Sequence, residues 1–153
     1  MTDHLTLALK PNPADLILSA RDAHIGDLYL GSVSALTPEF LAKHKISMVV
    51  SMTKVKPVPG VLHFQYPIPD HRSANIAMQH IIPRIISKIH AHRVAGHNVL
   101  VHCYAGMHRA PTVVAQYLQR YEGHSVDSAV KLIRSARPLA FIDGNTFDLK
   151  YYF

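Results

Sequence analysis

The sequence predicts a single α/β domain, in which a central, mostly parallel sheet is flanked by helices and includes a strand–loop–helix unit. Three observations predict it. Short apolar runs at Leu28-Tyr29-Leu30, Ile46–Ser51 and Asn98–His102 alternate with longer segments whose apolar residues recur at helical spacing. The chain has 153 residues, 48% hydrophobic and 17% charged, which suffices for one sizeable core but not for two full domains. Its single cysteine, Cys103, excludes an intramolecular disulfide and a cysteine-rich zinc site.

Residues 1–24 are expected to form an N-terminal arm or a short helix, and residues 25–153 the domain proper. Pro11-Asn12-Pro13 breaks regular structure, and 14–20 reads as a short helix led by Asp15 or as an extended arm. That arm is also the candidate element for a homodimer or partner contact. Leu28-Tyr29-Leu30 is a short strand closed by Gly31-Ser32. Thr37-Pro38-Glu39 starts a helix: a capping hydroxyl, a proline at the first helical position, then an acid facing the dipole. Ile46–Ser51 is a buried strand, and 61–66 is another, ended by Pro67 and Pro69. From Asn75 a long helix carries Met78, Ile81, Ile82, Ile85, Ile86 and Ile89 on one stripe, with Pro83 expected to kink it or mark a late start. Asn98–His102 is a central strand. Helices follow over 110–121 and from the cap Ser125 to Arg137-Pro138, and a last short one is expected over 146–152.

Lys+Arg number 16 and Asp+Glu 10, a formal charge of +6 that favours anionic partners without choosing among them. The start of the chain lacks a basic region followed by a long apolar run, so no signal peptide is expected. Pro83, Arg84 and Lys88 interrupt the isoleucine-rich stretch, so neither is a membrane span. A lone thiol suits a reducing compartment, the cytoplasm or the nucleus, rather than secretion. The 12 histidines include no metal-ligand pattern, and no cofactor is called for.

The segment from His102 to Arg109 carries the chemistry. The loop Cys103, Tyr104, Ala105, Gly106, Met107, His108 leaves a buried strand and enters a helix at Arg109. Successive N–H groups of such a loop, with the helix N-terminus, bind an anion. Gly106 tolerates backbone angles other residues resist, and the guanidinium of Arg109 grips two phosphate oxygens. The same field favours the thiolate of Cys103, a nucleophile toward phosphorus. His102 holds the cysteine by hydrogen bonds rather than acting as a base.

His102-Cys103, five residues, then Arg109 is similar to the signature of cysteine-dependent protein tyrosine phosphatases. Ile25-Gly26-Asp27-Leu28-Tyr29-Leu30-Gly31-Ser32 resembles the first strand of the dual-specificity branch, and 41–53, 122–134 and 141–147 resemble its later elements. The chain looks like the minimal single-domain members, viral ones included. The resemblance implies a phosphatase acting on phosphotyrosine and phosphoserine/threonine in proteins through a phosphocysteine. It also implies an acid that protonates the departing oxygen and later activates water. Asp70, on a polar loop before a helix, fits: in the family that acid is followed five residues later by an Asn, and Asp70 and Asn75 keep the offset. Arg72, Lys54 and Lys56 are candidate rim cations.

Two positions depart from the family. Ala110 stands where a Ser or Thr usually helps the thiolate leave, and His108 replaces the more usual Ser or Asn. The alternatives are a same-superfamily phosphatase on RNA 5′-phosphates, phosphoinositides or glucans, and a phosphoprotein-binding pseudophosphatase. The RNA enzymes fit the positive charge but tend to carry other residues around the arginine. Phosphoinositide enzymes often place lysines within the loop, and this loop has none. Pseudophosphatases typically lose the cysteine.

Overall fold

A computed structural model describes residues 12–19 and 25–142, with the backbone alone for Arg72. The strands are β1 (Ala14–Leu18), β2 (Leu28–Gly31), β3 (Ile46–Ser51), β4 (Leu62–Gln65) and β5 (Asn98–His102). The helices are α1 (Pro38–Lys43), α2 (Asn75–Val94), α3 (Arg109–Tyr121) and α4 (Val126–Ala136). The five strands form one sheet in the order β1-β2-β5-β3-β4, antiparallel only at β1–β2. β5 is therefore central, and its last residue, His102, lies level with Gly31 of β2 and Ser51 of β3. Sites in parallel sheets gather where such strands end.

The alternation along the strands assigns the two faces. Leu28, Leu30, Met48, Val50, Val99 and Val101 meet the apolar stripes of α2, α3 and α4, including Met78, Ile82, Ile85 and Val113. Val49 and Leu100 face the other way, onto Leu41 of α1 and Ala35, and Ile46 joins them because the register shifts between Ile46 and Met48. Helix α3 is the pivot of the larger layer, buried at every residue from Arg109 to Leu118.

Local chemistry sets the helix ends. Thr37 Oγ1 accepts from the Phe40 amide at 3.2 Å, with Pro38 in the first turn. Ser125 and Ser128 cap each other reciprocally at 3.1 and 3.0 Å.

Two expectations left alternatives that the structure narrows. Residues Ala14–Leu18 form a strand, the extended alternative rather than the short helix. A helix of that length is unstable alone, whereas the open edge of β2 satisfies the backbone and Ile17 and Leu18 reach the core. Pro83 does not delay α2, which runs continuously from Asn75 to Val94. The proline sits on the exposed side, where its missing N–H costs one helical bond while Ile82, Ile85 and Ile86 stay buried opposite. The helix expected over 146–152 lies outside the described residues. Among the described residues no helix is long and apolar enough to cross a membrane.

Candidate active site

The loop 103–108 connects the central strand β5 to the central helix α3. Its carbonyls are all engaged from outside. That of Tyr104 accepts from the Val33 amide at 3.0 Å, and that of Met107 from the Phe141 amide at 2.8 Å. The carbonyl of His108 accepts from the Thr112 amide and from Thr112 Oγ1. Those of Ala105 and Gly106 accept from Nη2 and Nε of Arg137, at 3.2 and 3.1 Å. In a trans peptide the C=O and the following N–H point in opposite directions, and this chain has no cis bond among the described residues. The N–H groups of residues 105–109 are thereby turned away from those partners. Amides so turned, ahead of a helix N-terminus, are able to take up an anion.

Gly106 is needed for that path. Its φ is +70°, and a Cβ there would lie 2.7 Å from Arg137 Nη2 and 2.8 Å from the Gly31 carbonyl.

Cys103 lies at the base of the loop, only 2% exposed, so a reacting group must enter the loop to meet the sulfur. Arg109 opens α3. Its Nη1 donates to the carbonyls of Ile68 (2.8 Å) and Met52 (3.3 Å), while its buried Nε has no partner. The guanidinium is thus pinned at one corner and borders an open cavity of about 290 Å³, shared with Thr53, Lys54, Pro67, Ile68 and Pro69. An unpaired buried N–H on a cation is costly and marks where an oxyanion would sit.

Asp70 follows that cavity wall. Its carboxylate lies 3.2 Å from His108 Nδ1, so the Asp70 loop touches the loop 103–108 directly. The Asp70 side chain remains 40% exposed. His102 accepts or donates at Ser51 Oγ through Nε2 (2.5 Å), and its Nδ1 is 3.3 Å from the Cys103 carbonyl. Burial lowers its pKa from 6.5 to about 4, opposed by the hydrogen bond to the Cys103 carbonyl and helped by His63 and Arg109. It is neutral at neutral pH.

The rim candidates separate. Lys54 lines the cavity beside Arg109, and its loop is fixed by Gln65, which bonds both the N–H and the C=O of Val55 (3.2 and 2.8 Å). Lys56 is exposed on the same loop, outside the cavity lining. Arg72 belongs to the short turn Arg72–Ala74 leading into α2. Tyr104, a residue of the loop itself, is 68% exposed and presents its ring to solvent. A larger open groove of about 710 Å³ follows the outer side of α4, past Val126, Val130 and Arg134, and none of the loop residues lines it.

Sequence reasoning missed Arg137, Asp15, Ser51 and His63. Arg137 is 1% exposed and donates from Nη1 to Asp15 Oδ2 (2.9 Å) and to the Asn12 carbonyl (2.7 Å), besides gripping the loop. Its only local signal, a basic residue before a proline at a helix end, is that of a solvated terminus. Ser51 carried a usable signal, a hydroxyl closing a wholly apolar strand level with His102.

Residues 28–149 match the family described as the dual specificity phosphatase catalytic domain. The chain belongs to the dual specificity phosphatase family. It is 32% identical over 117 residues to dual specificity phosphatase 28 of Mus musculus, covering 74% of this chain and 71% of that protein. It is 34% identical over 119 residues to dual specificity protein phosphatase Mpk3 of Drosophila melanogaster, of which it spans only 28%. Of dual specificity protein phosphatase 15 of Rattus norvegicus it spans about half, 48%. Among solved structures it is similar to human DUSP28, with a TM-score of 0.74 at 27% identity, covering 86% of this chain and 85% of that one. The sheet and its helices are those of a dual specificity phosphatase.

Proposed function

We propose that this chain is a cysteine-dependent phosphatase that hydrolyses phosphotyrosine and phosphoserine/threonine in proteins. The observation that carries the reading is the outward engagement of every loop carbonyl from Tyr104 to His108, which leaves the amides of 105–109 and the unpartnered Nε of Arg109 for a phosphoryl group. Membership of the family supports it.

Phosphate oxygens sit on those amides and on Arg109. The Cys103 thiolate attacks phosphorus, and the bond to the leaving oxygen breaks as Asp70 gives it a proton. The Asp70 carboxylate then takes a proton from water, whose oxygen attacks phosphorus and expels Cys103. His102 and Arg137 keep the loop open throughout.

Hydrolysis of p-nitrophenyl phosphate by wild type beside Cys103→Ser tests the reading. The variant should fall to background, and a variant that keeps its rate overturns the assignment. Asp70→Asn should slow a phosphoserine peptide by about 10²–10⁴-fold, and the aryl ester less because its leaving group needs no proton. Parallel assays on phosphopeptides, 5′-triphosphorylated RNA and phosphoinositides assign the substrate class.

The second half of the cycle is the slow one. Ala110 offers no hydroxyl to the departing sulfur, and the neighbouring Thr112 Oγ1 is spent on the His108 carbonyl at 2.7 Å. A pre-steady-state burst is expected, and Ala110→Ser should raise the steady rate and shrink the burst. A linear first turnover, unchanged by that substitution, contradicts it.

A further inference from the structure

Behind the cysteine, three polar side chains meet on neighbouring strands, His63 on β4, Ser51 on β3 and His102 on β5. Ser51 and His102 are wholly buried, in a sheet that is otherwise apolar here. Ser51 Oγ stands between two ring nitrogens, 2.6 Å from His63 Nε2 and 2.5 Å from His102 Nε2. A serine has one proton to give, so it donates to one ring and accepts from the other.

We propose, resting on the phosphatase reading above, that Ser51 and His63 are positioning residues: together they fix the tautomer of His102 and so aim its Nδ1–H at the Cys103 carbonyl.

Two proton arrangements are open to neutral rings. In the first, His63 Nε2–H donates to Ser51 Oγ, and Ser51 donates to His102 Nε2. His102 then carries its proton on Nδ1, which donates to the Cys103 carbonyl 3.3 Å away. The one atom left over is His63 Nδ1, a lone pair buried without a partner. In the second arrangement Ser51 donates to His63 and accepts from His102. His102 Nδ1 is then a lone pair facing a carbonyl oxygen, and His63 Nδ1 is an N–H buried without an acceptor. The first leaves one unmet acceptor. The second leaves an unmet donor, which folded proteins tolerate least, and sets two lone pairs against each other.

A protonated ring would blur this logic by filling both nitrogens. Burial lowers the pKa of both histidines, that of His102 to about 4, and the charged group bearing on His102, Arg109, pushes the same way. The network is therefore neutral and directional at neutral pH. Its output is a fixed hydrogen bond to the carbonyl at the start of the phosphate loop, in the way that a carboxylate fixes the working tautomer of a catalytic histidine.

The test is ¹⁵N spectroscopy of the histidine rings at neutral pH, together with kcat/KM for p-nitrophenyl phosphate. In wild type, His102 should be protonated at Nδ1 and bare at Nε2. Ser51→Ala should spread the proton over both nitrogens and lower kcat/KM about tenfold, the value of one buried hydrogen bond. Ser51→Thr, which keeps the hydroxyl, should restore both. His63→Phe leaves Ser51 able to donate, so the tautomer should loosen only partly and the rate fall about threefold. A wild-type His102 protonated at Nε2 overturns the proposal. So does a Ser51→Ala protein whose tautomer is unchanged, whether or not its rate falls. An inactive wild type sinks the phosphatase reading, and the spectra still decide this one.

Discussion

At its cysteine end the loop 103–108 is held by uncharged groups, whereas at Ala105 and Gly106 it is held by a buried guanidinium. The neutral end, His63–Ser51–His102, draws on three adjacent strands and needs no counter-charge. The charged end needs one, because a cation taken out of water is costly unless paired. Arg137 obtains it from Asp15, and Asp15 lies on β1, ahead of the residues that match the family. The neutral anchor thus lies on three parallel strands of the sheet, and the charged anchor takes its partner from the antiparallel edge strand. Arg137 also places a positive charge beside the Ala105 and Gly106 carbonyls, and Asp15 offsets it.

The sharpest way to break this comparison is to remove the partner of the charged anchor. Asp15→Ala leaves Arg137 buried without its carboxylate and should destabilise the fold by about 3–5 kcal/mol. For a domain of this size that is a drop of about 10 °C in melting temperature. Asp15→Asn keeps a hydrogen-bond acceptor and should lose less. Thermal melts followed by circular dichroism check both, and a melting point unmoved in Asp15→Ala would show that water already compensates Arg137.

The neutral anchor responds to acid instead. The folded pKa of His102 is about 4, below its ordinary 6.5, because burial disfavours the charged ring. Between those values the unfolded chain takes up a proton that the native fold refuses, so stability falls as pH falls. The contribution is fully present above 6.5 and is lost on the way down to about 4. His63 and His90, lowered by the same cause, add in the same direction. Urea midpoints measured from pH 7 to pH 4.5 should decline, and His102→Gln should flatten the decline. Superimposable curves for the two proteins would show that His102 is not the group being titrated.

The contrast between the anchors also explains what could be read from the sequence. Strands Ile46–Ser51 and Asn98–His102 fall where the residue pattern puts them, because prolines, glycines and apolar runs are local signals. The caps at Thr37 and Ser125 are local as well. Cys103, Arg109 and the loop between them stand out through spacing. Arg137 does not, because its burial depends on Asn12 and Asp15, which lie 125 and 122 positions away. Residues 14–18 alone give no sign of pairing with β2, since an edge strand is chosen by the open sheet beside it. Ser51 and His63 meet His102 through the strand order, which local periodicity leaves open.

A third attachment, at the helix end of the loop, ranks below both anchors. His108 Nδ1 and Asp70 Oδ2 are 3.2 Å apart, with the carboxylate in contact with water. A pair of this kind gives about 0–1 kcal/mol, because solvent screens it and two mobile side chains must be ordered to make it. His108→Asn should therefore move the melting temperature by less than about 3 °C. Its catalytic effect has the same ceiling. The contact helps to hold the Asp70 loop against the phosphate loop, and 1 kcal/mol of lost positioning corresponds to about fivefold in rate. A fall of kcat within that limit, larger for a phosphoserine peptide than for p-nitrophenyl phosphate, would place His108 behind the proton donor. An equal fall for both substrates would place it behind phosphate binding instead, because in the proposed mechanism only the peptide's leaving oxygen depends on a proton from Asp70.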